Sequence, residues 1–109
     1  MTKQEHDNMI KAKIEELAKL ELEAANSRHP LFASNHEAYA VILEEVEEID
    51  LEIKYLKHYL DILWELTKGD RGNKGSDCKL KEHALRLAQE AIQVAAMCDK
   101  ALMSEKVRG

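Results

Sequence analysis

The fold of this chain is decided by residues 39–63, which read YAVILEEVEEIDLEIKYLKHYLDIL. Apolar residues recur along this stretch at alternating steps of three and four, and neither proline nor glycine interrupts them. That spacing places them on one side of an α-helix, at the a and d positions of a heptad repeat. We call this set the apolar seam of the helix: Tyr39, Ile42, Val46, Ile49, Ile53, Leu56, Leu60 and Leu63.

Signals on both sides give this helix its ends. Ser34 and Glu37 form the S-x-x-E capping box with which helices begin. Residues 67–78 contain three of the four glycines and are polar nearly throughout, which predicts a flexible loop. The long helix is therefore predicted over residues 35–66.

Two further helices are predicted. After the loop, a second heptad indicates a helix over residues 79–103, with its own apolar seam of Leu80, Ala84, Leu87, Ala91, Val94, Cys98 and Ala101. Residues 4–25 also favour a helix, which ends before Pro30 because proline disfavours helical geometry in the preceding residue. No stretch alternates with period two. We therefore expect an all-α fold: a single domain over residues 1–109, an antiparallel bundle of three long helices, or four if the longest kinks.

Composition restricts the classes of function. The chain carries 16 Lys and Arg against 21 Asp and Glu, a net charge of −5, which argues against nucleic-acid or anionic-membrane partners. No apolar run approaches the roughly 20 residues of a membrane span, and the first residues do not resemble a signal peptide. Two cysteines are too few for a disulfide framework, so we expect a cytoplasmic protein.

The polar residues beside the two seams are more informative than the seams themselves. On the g and c positions of the long helix, Glu45 and Glu48 lie one turn apart among apolar and aromatic neighbours. The matching flank of the last helix carries Glu90 and Gln93 at the same spacing. These flanks face each other in an antiparallel pair, so the four side chains are expected to meet if the register permits.

Carboxylates crowded at a half-buried groove repel one another and lose hydration. Either some of them stay protonated or a cation binds among them. Oxygen donors without His or Cys favour a hard ion such as Mg²⁺ over zinc. The alternative is an ordinary solvated face, because glutamate-rich runs are good helix formers.

The run EEVEE at residues 44–48 and the run EAIQ at residues 90–93 resemble the EExxE…ExxD signature of MazG-like nucleoside triphosphate pyrophosphohydrolases. The surrounding HEAYAVIL at residues 36–43 and VAAM at residues 94–97 are similar to small phage and prophage members of that family. The resemblance covers residues 31–102. It implies an all-α fold that assembles into dimers or tetramers.

The resemblance also implies an activity, the hydrolysis of a nucleoside triphosphate, commonly a deoxy or non-standard one, to monophosphate and pyrophosphate. The implied cofactor is Mg²⁺, with Mn²⁺ as a substitute, and the implied ligands are Glu45, Glu48, Glu90 and Gln93. Gln93 stands where the family has an acid, and a neutral amide binds Mg²⁺ without adding charge and cannot act as a base. A nucleotide binder that has lost turnover and a non-enzymatic helical interaction protein therefore stay open as alternatives. No catalytic base is assigned.

Two basic residues precede Glu90 on the same flank. Arg86 is interpreted as a substrate contact to phosphate or as the partner of Glu90 in an i, i+4 ion pair. His83 is interpreted as a surface residue.

The last helix is also apolar at its b and e positions, which leaves more apolar surface than one hairpin covers. A homodimer is the simplest remedy, with a tetramer as the alternative.

Overall fold

The computed structural model describes all residues from Met1 to Gly109 and consists of three α-helices with no strand. The helices are α1 (Lys3–Arg28), α2 (Asn35–Lys68) and α3 (Ser76–Arg108). The predicted all-α class is thus confirmed. Each helix is longer than its sequence pattern indicated, most of all α3, which begins three residues earlier than residue 79 and ends five residues later than residue 103. None of the helices has a stretch long and apolar enough to cross a membrane.

Local hydrogen bonds explain where the first two helices begin. The Thr2 hydroxyl accepts from the backbone N–H of Glu5 at 3.1 Å at the start of α1. At the start of α2, the Ser34 hydroxyl accepts from the backbone N–H of Glu37 at 3.2 Å, and the Glu37 carboxylate accepts from the backbone N–H of Ala33 at 3.4 Å. These contacts satisfy backbone donors that have no partner inside the helix. The capping box read from the sequence is therefore present.

Contacts divide the chain into two compact units. Residues 45–91 form one, which we call the hairpin unit, and residues 1–44 with 92–109 form the other, the terminal unit. In the hairpin unit, Glu48 of α2 hydrogen-bonds Glu90 of α3, whereas Glu52, further along α2, contacts His83, which is earlier on α3. The two helix segments of this unit therefore run antiparallel.

The terminal unit is held together by contacts between residues far apart in the sequence. The backbone N–H of Phe32 donates to the Ser104 hydroxyl at 2.8 Å. The Arg108 guanidinium donates to the backbone carbonyl of Phe32 at 2.9 Å and to the Asn35 side chain at 3.0 Å. These bonds attach the connection between α1 and α2 to the last turns of α3.

The single chain covers the apolar seam only in part, since Ile42, Ile49, Ile53, Leu56 and Leu63 are half-buried while other residues of the seams are exposed. Tyr39 and Leu60 of the α2 seam are 67% and 56% exposed, and Ala84 of the α3 seam is also exposed. The buried charged residues of α3, His83 and Lys100, lie on its polar flank and are almost inaccessible. The seams therefore pack within one chain only in part. Heptad spacing identifies an apolar face, but it does not tell whether the partner of that face belongs to the same chain.

One residue in the loop between α2 and α3 has an unfavourable backbone conformation. α2 ends in a Schellman motif, in which the N–H of Arg71 bonds the carbonyl of Leu66 and the N–H of Asp70 bonds that of Thr67. Asp70 occupies the left-handed position of this motif, with φ of 51°. Glycine is the residue that adopts this conformation most readily.

We expect Asp70→Gly to raise the free energy of unfolding by roughly 0.5–1 kcal/mol, because a left-handed residue with a Cβ is strained. Urea denaturation measures the change. Asp70→Ala removes the same charge but keeps the Cβ, so it should lower stability. An equal gain in both variants would assign the effect to charge and contradict the explanation.

Candidate metal centre

Three glutamates from two helices come together in the hairpin unit. Glu45 and Glu48 are one turn apart on α2, and Glu90 approaches them from α3. One carboxylate oxygen from each residue lies within 4.8 Å of the others. We call these three residues the acidic cluster. Three of the four residues predicted as metal ligands are thus neighbours, while their role as ligands stays a prediction.

The electrostatics of the acidic cluster favour any species that adds positive charge. The hydrogen bond from Glu90, its negative charge and the loss of hydration together raise the pKa of Glu48. Burial raises the pKa of Glu90, and so do a hydrogen bond with Glu45 and the charges of Glu45 and Glu52, while its bond with Glu48 opposes the shift. Two carboxyl groups form a good hydrogen bond only when one of them carries a proton. The cluster therefore holds protons more tightly than isolated glutamates do.

The chemistry of these donors fits a hard divalent cation. All three are carboxylates, and no His or Cys belongs to the set, which matches the preference of Mg²⁺ and disfavours zinc. Glu45 and Glu90 are half-buried, whereas Glu48 is exposed. An ion at this place would be reached by solvent and by a substrate. Mg²⁺ commonly keeps several of its coordination positions for water and phosphate oxygens.

Gln93, the fourth predicted ligand, does not belong to the same compact unit as the acidic cluster. Gln93 follows Glu90 by one turn on α3, is half-buried, and belongs to the terminal unit. Its amide offers a neutral oxygen. Its assignment as a ligand rests on the sequence spacing alone and stays a prediction.

Arg86 pairs with Glu82 and not with Glu90, the partner that the sequence spacing suggested. Its guanidinium donates to Glu82 at 2.7 Å, one turn back on α3, and not to Glu90. Both side chains are well exposed, so this pair adds little stability. The guanidinium has five N–H donors, so the pair leaves donors for a phosphate. The phosphate contact stays a prediction.

The buried pair of His83 and Glu52 beside the acidic cluster was not predicted from the sequence. His83 is 6% exposed, not a surface residue, and its Nδ1 lies 2.6 Å from Oε2 of Glu52. Its ring stacks on Tyr55, with ring centroids 4.7 Å apart, and on Tyr59, at 5.5 Å. Glu52 and His83 occupy the same g and c flanks as the cluster, so the flank pattern contained this contact. Predicting the contact would have required knowledge of the register between the two helices.

The chain was also compared with known proteins. No protein-family model, no curated protein and no solved structure matches it. The resemblance to the MazG-like signature therefore rests on the residues quoted for it, and the candidate metal centre rests on the geometry of the acidic cluster.

The raised pKa of Glu90 has a consequence for stability. A carboxyl whose folded pKa exceeds its ordinary value of 4.5 contributes stability below that value, and the contribution is lost as pH rises through the folded pKa. At neutral pH and without a cation, the ionised Glu90 is therefore destabilising.

We expect Glu90→Gln to stabilise the metal-free protein at neutral pH by roughly 0.5 kcal/mol, the usual size of one or two like-charge pairs. The gain should vanish well below pH 4.5. Thermal unfolding across pH measures it. Glu44→Gln removes an equal charge from an exposed site and should change little. A gain that is constant with pH would count against repulsion in the cluster.

Proposed function

We propose that this protein is a metal-dependent hydrolase that converts a nucleoside triphosphate, deoxy or non-standard, to its monophosphate and pyrophosphate. The observation that carries this proposal is the approach of Glu45, Glu48 and Glu90 within 4.8 Å of one another. Three carboxylates at such distances repel one another, and a proton or a cation among them relieves the repulsion. The class of reaction comes from the resemblance of residues 44–48 and 90–93 to the MazG-like signature.

In this proposal Glu45, Glu48 and Glu90 would hold Mg²⁺, or Mn²⁺ in its place, and Gln93 would add a neutral oxygen. The bound ion supplies neutralisation of phosphate charge and a water of lowered pKa. Arg86, on the exposed side of α3, contacts a phosphate group. A water attacks the α-phosphorus, its proton passes to Glu45 or Glu48, and the bond to the departing pyrophosphate breaks.

The experiment is a measurement of pyrophosphate release from a panel of nucleoside triphosphates with Mg²⁺. We expect Glu45→Gln and Glu48→Gln to lower the rate by roughly a hundredfold, because each removes a charge from the metal site. Glu44→Gln and Glu47→Gln change neighbouring residues of the same run that are exposed, so they should keep the wild-type rate. Equal rates in all four variants would refute the assigned site.

A nucleotide binder without turnover is the second candidate, and Gln93 favours it because the neutral amide weakens the hold on the cation. Such a protein would be stabilised by Mg²⁺ and nucleotide in a thermal shift measurement but would release no pyrophosphate. Gln93→Asp should then tighten Mg²⁺ binding. A helical interaction protein, the third candidate, would show no thermal shift with either ligand.

We also propose that two copies pair through the apolar residues of α2 and α3 that the single chain leaves exposed. Only five apolar residues are buried in the single chain, and Leu60 and Trp64 of α2 are 56% and 59% exposed. Leu85 and Leu102 of α3 are equally exposed. Monomers rarely leave apolar patches of this kind open to water. A two-fold axis, which places one patch against its copy, covers them most simply, and a tetramer is the alternative.

We expect the double variant Leu60→Glu, Trp64→Glu to turn a dimer into a monomer, because two charges would be buried at the interface. Analytical ultracentrifugation at micromolar concentration measures the state. His58→Glu adds a charge to the exposed side of the same helix and should leave the dimer intact. A wild-type chain that sediments as a monomer would end this proposal.

A further inference from the structure

The terminal unit contains a cavity of about 330 Å³ that the acidic cluster does not use. Its walls come from the end of α1, the connection to α2, the first turns of α2, and α3. They are mainly apolar and include Ala25, Pro30, Phe32, Val41 and Met97. The volume is near the lower end of the range found for small-molecule sites.

One charged side chain in this wall has no counter-charge. Lys100 is 3% exposed, and its Nζ lies 5.0 Å from the centroid of the Phe32 ring. Its ammonium takes part in none of the side-chain hydrogen bonds or ion pairs of the structure, although its Nζ keeps a small contact with solvent. An ammonium with little access to water and no acceptor is unfavourable, and a ring face compensates for the lost hydration only in part. The cavity therefore presents a positive charge that an acceptor oxygen would satisfy.

The wall around Lys100 is fixed before any ligand enters. Ser104 donates to the carbonyl of Lys100 at 2.7 Å and accepts from the N–H of Phe32 at 2.8 Å. Arg108 holds the carbonyl of Phe32 at 2.9 Å. The ring that lies under the ammonium thus belongs to a backbone segment attached to α3 at two points. A rigid wall lowers the entropy lost on binding.

The other polar groups of the cavity indicate how much negative charge it accepts. Glu37 lies at the rim, is exposed, and has its carboxylate on the backbone N–H of Ala33. This carboxylate repels a dianion. Phosphate sites generally provide several donors, such as Arg forks or backbone N–H groups, whereas this cavity provides one ammonium and the imidazole of His29. The charge and the apolar walls together suit a monoanion with an apolar body.

We propose that this cavity binds a small organic carboxylate, aromatic or short aliphatic, whose carboxylate pairs with Lys100 and whose body packs against Phe32, Val41 and Met97. None of these residues belongs to the acidic cluster, so this site does not rest on the proposed hydrolase activity.

The first test uses the wild-type chain and follows the Met97 methyl resonance by NMR during titration with benzoate, hexanoate, benzamide and inorganic phosphate. We expect at least one of the two carboxylates to bind about tenfold more tightly than benzamide, because the amide matches benzoate in shape but lacks its charge. Phosphate should not displace the carboxylate. Equal binding of benzoate and benzamide, or tighter binding of phosphate, would overturn the proposal, as would an unmoved Met97 resonance at millimolar carboxylate.

The second test changes the charge. Lys100→Met keeps the aliphatic stem and should lower carboxylate affinity about tenfold while changing benzamide affinity by less than about twofold. Lys106→Met, at an exposed position further along α3, is the matched control and should bind as wild type. If Lys100→Met does not fold, the comparison of benzoate with benzamide on the wild-type chain decides alone. Unchanged carboxylate affinity in folded Lys100→Met would refute the role of Lys100.

Discussion

The register between α2 and α3 in the hairpin unit determines which charges meet. His83 and Glu52 are 2.6 Å apart, and the rings of Tyr55 and Tyr59 stack on the imidazole of His83. This buried contact aligns the two helices so that Glu90 lies beside Glu45 and Glu48. A shift of α3 by one turn would bring Arg86 to the place of Glu90, and opposite charges would then meet. The observed register instead brings like charges together, which is unfavourable unless a proton or a cation is bound. Local features that oppose stability in this way are commonly found where a protein binds or reacts.

The sequence predicts the helices and part of the candidate site well because both depend on short-range periodicity. The capping box of Ser34 and Glu37 and the heptad spacing are local, and they identify α2 almost to the residue. The same spacing placed Glu45, Glu48 and Glu90 on facing flanks, and the structure has their oxygens within 4.8 Å. The contact between Glu52 and His83 lies on those flanks too, but a histidine is equally common at the surface. Only the register reveals that its ring is enclosed.

Other features cannot be read from periodicity because they join residues far apart in the chain. The hydrogen bond between Phe32 and Ser104 spans 72 positions. The burial of Lys100 contradicts the general rule that lysines are exposed, so no pattern would have indicated it. The apolar seam shows a different limit. Its spacing was recognised, yet Tyr39 and Leu60 are exposed, because a heptad repeat specifies a contact without specifying which chain provides the partner.

The distribution of burial would link stability to the proposed self-association. Ser76, His83, Lys100 and Ser104 are buried in the single chain, while large apolar residues such as Leu60, Trp64 and Leu85 remain in water. Apolar burial is the main favourable contribution to folding, at roughly 25 cal/mol per Å². A chain that leaves so much apolar surface exposed would bury it on self-association. Its folding would then depend on its own concentration. A ligand that binds the folded chain would also favour the assembled form, because folding and pairing are then coupled. Binding at the acidic cluster and pairing through the exposed apolar residues would in that case shift the same folding equilibrium, although the two surfaces share no residue.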